Sequence, residues 1–118
     1  MDKLTQSDLD QFIGTTIWYK HGLVKNVTYT EGVLYVAKTA GAYWLIDEIA
    51  FAQLEPEVSV ESFQLWILKV DHQQAARLIC EDGNGELIRE KLIEFTDFPL
   101  PELRLYFTDD VIMLPSEY

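Results

Sequence analysis

Cysteine is nearly missing from this chain: Cys80 stands alone among 118 residues. A lone thiol excludes an intramolecular disulfide and any zinc site built on several cysteines, which suits a reducing compartment, so a cytoplasmic location is expected. Histidine is scarce too, with only His21 and His72 present. Neither belongs to HExxH or another paired-ligand spacing, and a closed four-donor site would have to recruit carboxylates; no metal and no other cofactor is expected. Positive charge is in short supply, because 9 bases face 20 acids and leave a formal net charge of −11. Such a chain repels nucleic-acid backbones and anionic bilayers, so direct nucleic acid binding is disfavoured and no membrane partner is expected. No apolar run approaches the roughly 18 residues of a spanning helix. The opening MDKLTQSDLDQF is polar and acidic where a secretory signal has a basic and then an apolar region. Neither GxxxxGKS/T nor GxGxxG occurs, so no glycine-rich phosphate cradle is expected.

What the chain does have is core material: 48% hydrophobic and 13% aromatic residues, enough for one domain over 1–118 that needs no crosslinks. In LTQSDLDQFIGTT, Leu9, Phe12 and Ile13 follow Thr5 at helical spacing with Gly14 just beyond, which predicts a short capped helix. TIWYKH and VKNVTYT are β-branched and aromatic around Gly22, which predicts a hairpin. Thr30 can cap EGVLYVAKTAG, a second helix stopped by Gly41, although Gly32 disfavours it. From Ala42 onward, Leu45, Ile46, Ile49, Ala50 and Gln53 share one helical face, and Tyr43, Trp44, Asp47 and Phe51 another. A helix apolar over so much of its circumference is expected to be largely buried, and Glu55-Pro56-Glu57 ends it.

The second half changes to β-type patterning. SFQLWILKV is apolar in both alternating sets, as an interior strand covered on both faces would be. AARLICE and ELIREKLIEF flank Asp82-Gly83-Asn84-Gly85, a hairpin turn by composition, and LRLYFT and VIMLP flank Asp109-Asp110. The predicted class is α+β: N-terminal helices and short strands packed on a four- to five-strand antiparallel sheet, read as a meander, from the C-terminal half.

Few polar residues form a pattern that carries chemistry. Asp82 to Glu86 mimics the start of a calcium loop, but Leu87 replaces its glycine and Ile93 its bidentate glutamate, so a turn is expected. Cys80 alternates with Ala76 and Leu78 on one strand face and is expected to be a core thiol. Phe95-Thr96-Asp97 recurs as Phe107-Thr108-Asp109 at two breaks, where short polar side chains bond the turning backbone. The acidic pairs Asp47-Glu48 and Asp109-Asp110 are the remaining enzyme signal, since carboxylates in apolar settings can have their pKa values pushed apart. Adjacent helical residues point about 100° apart, so Asp47 and Glu48 cannot straddle one substrate. They are expected to form the polar edge of their helix or a salt bridge to a neighbouring base, with Glu48 the wetter. No catalytic residue is assigned. Of the aromatics Trp18, Tyr19, Tyr35, Tyr43 and Trp44, most are expected in the core. A helix–sheet groove around Tyr43 and Trp44, edged by Asp47 and Glu48, is the candidate ligand or partner site.

The segments TYTEGVLYVAKTAGAYWLIDEIAFAQ, CEDGNG, IEFTDFPL and LYFTDDVIMLPSEY together resemble a family of small acidic bacterial proteins of about this length. That family is a domain of unknown function met in bacterial genomes, plasmids and phages, and the resemblance implies no catalytic residues. Three readings follow. The leading one is a non-enzymatic protein whose acidic surface meets a basic protein, although the same charge also serves plain solubility. The second is a small enzyme or small-molecule binder using the aromatic groove with Asp47 or Glu48. The third is homo-oligomer formation, with a second copy covering one face of SFQLWILKV.

Overall fold

A computed structural model describes residues 4–13 and 17–118. Its first element, α1 (Gln6–Leu9), is a single turn closed by a reciprocal cap: the Thr5 hydroxyl accepts the Asp8 N–H, and the Asp8 carboxylate accepts the Thr5 N–H. Leu9 is buried, but the helix stops before Phe12 and Ile13, and Ile13 is exposed. The expected short capped helix thus forms at Thr5 but ends earlier than its spacing predicted, with Phe12 packed half-buried against the core beyond the helix end. The proposed stop at Gly14 lies outside the described residues.

Strands β1 (Trp18–Lys20) and β2 (Thr28–Thr30) pair antiparallel as the expected hairpin. Thr30 then leaves the strand with extended backbone, and its hydroxyl accepts the Val33 N–H, so α2 (Glu31–Ala40) starts without a loop. Gly41, at φ +64°, supplies the left-handed residue that ends α2, and α3 (Tyr43–Ala52) follows at once. Glu55 is extended and Pro56 opens α4 (Pro56–Ser59), where a missing backbone N–H costs nothing.

Strands β3 (Phe63–Val70), β4 (Ala76–Asp82), β5 (Leu87–Ile93), β6 (Glu102–Thr108) and β7 (Val111–Met113) complete one sheet of order β1-β2-β7-β6-β3-β4-β5. This corrects the expected four- to five-strand antiparallel meander: among the described residues the sheet has seven strands and is mixed, because β2 runs parallel to β7. Turn residues announce only sequential pairing, and they do so correctly for β4–β5 and β6–β7. The segment from β5 to β6 contains Pro99 and Pro101 instead of a two-residue turn. It carries β6 across to the far side of β3, a non-local step that no local pattern encodes.

Buried residues from α2, α3 and α4 form a continuous core with Trp66, Leu68, Leu78, Cys80, Leu103, Leu105, Phe107 and Ile112. Strand β3 is interior, as expected, between β6 and β4. Its second apolar set is not part of that core: Ile67 and its cross-strand partner Ile79 are buried on the other face of the sheet. Ile67 lies opposite Arg104 and Ile79 opposite Glu90, members of the ion pairs Arg104–Glu102 and Arg77–Glu90, while the rings of Phe63, Tyr106 and Tyr118 pack on one another. Among the described residues no helix is long and apolar enough to cross a membrane.

Candidate functional site

The α2–α3 hairpin fixes the orientation of α3. Ala42, Leu45, Ile46, Ile49 and Ala50 face inward, at 4% exposure or less, and Gln53 extends this side with a reciprocal pair of amide hydrogen bonds to the fully buried Gln64. Gln64 also accepts the Trp66 indole N–H at 3.0 Å. Four-residue spacing then leaves Tyr43, Asp47 and Phe51 in a line on the opposite side, the two rings 48% and 42% exposed. The helix is largely buried, as expected, and this ridge of three residues is its exposed part.

The two carboxylates of the acidic pair go to different bases. Asp47 Oδ1 lies 2.7 Å from Nε2 of His21 in the loop after β1, while Glu48 leans over β5 to pair with Lys91. The salt-bridge expectation therefore fits Glu48. The expected order of wetness is reversed: the Asp47 side chain is 55% exposed and that of Glu48 26%. Position 47 lies on the outward ridge, whereas position 48, about 100° around the helix, comes to lie over the sheet.

His21 is buried, and its Nδ1 faces the backbone N–H groups of Leu23 at 3.1 Å and Val24 at 2.9 Å. Two donors aimed at Nδ1 require that nitrogen to be an unprotonated acceptor, so the hydrogen sits on Nε2 and is donated to Asp47. Both imidazole nitrogens are thus engaged within the protein. A catalytic dyad needs the reverse arrangement, with the carboxylate on one nitrogen and the other facing substrate. Here the histidine folds the loop from 21 to 24 and steadies Asp47.

Between this loop and α3 lies a hollow of about 170 Å³ lined by His21, Gly22, Leu23, Tyr29, Tyr43, Ile46 and Asp47. Tyr43 and Asp47 of the predicted groove come together here. Trp44 turns aside and packs half-buried against the core, and Glu48 faces Lys91, so neither lines the hollow. Tyr29 was missed by sequence reasoning because it lies on a different element, and the signal that could have found it is its cross-strand partner Tyr19, whose ring stacks on it at 5.7 Å. Burial, followed by the neighbouring Tyr43, Tyr19 and Asp47 oxygens, pushes the Tyr29 phenol up from its ordinary range. None of the residues lining the hollow is a lysine or arginine.

The other candidates fall into structural roles. Cys80 is fully buried, and burial pushes its thiol up to about 12, so it remains an unreactive core thiol. Asp82 accepts the backbone N–H groups of Asn84 and Glu86, which spends its carboxylate on the hairpin turn. Asp109 and Asp110 both have positive φ, as a tight two-residue β-turn requires. Thr96 accepts the Phe98 N–H, in keeping with the turn role expected for the first copy of the repeated tripeptide. Among the described residues no group of three or more histidine, cysteine or acidic side chains is arranged to hold a metal ion.

A model of a family of unknown function, DUF6876, matches residues 3–118. The chain belongs to that family. No curated protein and no solved structure matches it. Membership extends over both the α3 ridge and the terminal LPSEY segment, so both belong to the family's matched region.

Proposed function

We propose that this protein is non-enzymatic and acts by binding another protein through the α3 ridge. The observation that carries this reading is the exposed line of Tyr43, Asp47 and Phe51 on a helix whose other apolar side is buried. Leu23 and Leu54 extend it at 76% and 68% exposure, which makes an apolar collar around one carboxylate. Aromatic anchors around a charged group are typical of surfaces that bind partners, and a protein of net charge −11 favours a basic one. The imidazole, held by two backbone donors and one carboxylate, argues against proton-transfer chemistry at the same place. A bacterial cytoplasm, including that of a cell carrying a plasmid or phage, is the setting that the lone buried thiol and the resemblance to small acidic bacterial proteins support.

The test is comparative capture from nuclease-treated bacterial lysate with wild type, Phe51→Ala and Asp47→Asn, at low and moderate salt. A near-stoichiometric partner retained by wild type and lost by both variants is the expected result. Equal capture by all three would overturn the ridge as the binding surface.

A further inference from the structure

We infer that the hollow beside α3 is a receptor for an alkylammonium group, the end of a lysine side chain, in preference to a guanidinium. This deepens the protein-binding reading and rests on it for the origin of the lysine. Four features of the hollow select that chemistry. Its polar lining is rich in oxygens: the Asp47 carboxylate and the Tyr43 phenol come close enough to Tyr29 to disfavour negative charge on it, and no lysine or arginine lines the hollow. The donors at its back wall are already used, since the Leu23 and Val24 N–H groups point at Nδ1 of His21 and the Nε2 hydrogen points at Asp47. An anion would meet the Asp47 carboxylate and find only the two phenol hydrogens to bind it, whereas a cation would meet that carboxylate, two phenol oxygens and two aromatic rings.

The third feature is the apolar lining, Leu23 beside the hollow and Ile46 buried within it, which suits the methylene stem of a lysine better than a hydrated inorganic cation. The fourth separates lysine from arginine. A guanidinium gains most from a two-pronged contact with both oxygens of a carboxylate. Asp47 Oδ1 already accepts the His21 Nε2–H at 2.7 Å, so a fork would have to share that oxygen with the imidazole hydrogen, and Oδ2 is the oxygen that offers both its lone pairs to a newcomer. A compact ammonium needs only that one oxygen and can turn its remaining hydrogens to the phenols.

The probe is n-butylammonium chloride, titrated into the ¹⁵N-labelled full chain at constant ionic strength, with n-butylguanidinium chloride and n-butanol as comparators. Saturating shifts confined to the amides of residues 22–24, 29 and 43–47 are expected with butylammonium, at least about tenfold tighter than with butylguanidinium. Butanol is expected to give no saturating response. Asp47→Asn, whose amide oxygen can still accept the His21 hydrogen, is expected to keep the folded spectrum and lose saturation.

Equal responses to butanol, tighter binding of butylguanidinium, or shifts spread over the whole acidic surface would each overturn the inference. Capture and titration separate its failure from that of the broader reading. A partner lost in Phe51→Ala, with no butylammonium saturation, leaves the ridge standing and removes the ammonium site. Butylammonium saturation, with capture unchanged in Phe51→Ala, retains the site and removes the protein-binding role of the ridge.

Discussion

Glu117 and Asp47 are carboxylates of opposite circumstance. Glu117, near the end of the chain, is buried at the start of α2, where it accepts the Thr30 hydroxyl at 2.6 Å, the Gly32 N–H at 3.3 Å and the Leu114 N–H at 2.9 Å. Its charge meets the positive end of a helix and three donors, so the group ties the tail to α2 and leaves nothing for a ligand. Among the described residues Asp47 receives a single hydrogen bond, from His21, and it is more than half exposed on the α3 ridge. The difference teaches how to tell a carboxylate that holds the fold from one that is available, and it depends on counting donors more than on counting charges.

The largest effect should come from breaking the tail junction. Glu117→Ala leaves the Thr30 hydroxyl and the Gly32 and Leu114 N–H groups without their acceptor, and a loss of about 3 kcal/mol in urea unfolding is expected. Next in size is Gly32→Ala. A Cβ there would sit 2.8 Å from the Glu117 carboxyl group, so either the tail or the helix must shift, at about 1–2 kcal/mol. In a Glu117→Ala background the obstacle is gone, and the helix preference for alanine should make Gly32→Ala neutral or stabilising by up to about 1 kcal/mol. Additive losses in the double variant would show that the two residues do not share one site.

Gly32 also marks a limit of the sequence. Its glycine counted against a helix, yet α2 forms, because the position is kept small for a side chain 85 residues away. Local features were legible: the Thr30 cap, the Gly41 stop, the β4–β5 turn and the inward face of α3 all follow from spacing and side-chain type. Strand order was not, since the β2–β7 and β3–β6 pairings join segments far apart in sequence. The candidate site was half legible for the same reason. Tyr43 and Asp47 are neighbours on α3 and could be named together, whereas His21 and Tyr29 reach them only through tertiary packing.

A smaller effect is expected in alkali at the hollow beside α3. Tyr29 holds its proton more tightly in the fold than its ordinary value of 10.0, through burial first and then the Tyr43, Tyr19 and Asp47 oxygens. Above the unfolded value the unfolded chain releases this proton more readily, so the stabilisation present at lower pH is lost as pH rises through the folded pKa. Tyr29→Phe removes the titration, and unfolding followed across that interval should show a shallower decline than wild type. An unchanged decline would mean that neither burial nor the neighbouring oxygens hold the Tyr29 proton.

The smallest changes in stability should occur at the acidic pair itself. Glu48→Ala removes a partly exposed ion pair with Lys91, and a cost within about 0.5 kcal/mol is expected because exposed pairs are screened and lose side-chain entropy. Asp47→Asn should cost no more, since the amide oxygen can take over the His21 hydrogen at the solvent edge. The two should part in binding: Asp47→Asn loses the partner, and Glu48→Ala keeps it. Urea unfolding and capture on the same preparations would check this, and two variants equally stable but unlike in capture would assign the ridge, and not the acidity of α3 in general, to recognition. Loss of capture by Glu48→Ala as well would break the contrast, because Glu48 faces Lys91 over the sheet and shares with Asp47 only its charge.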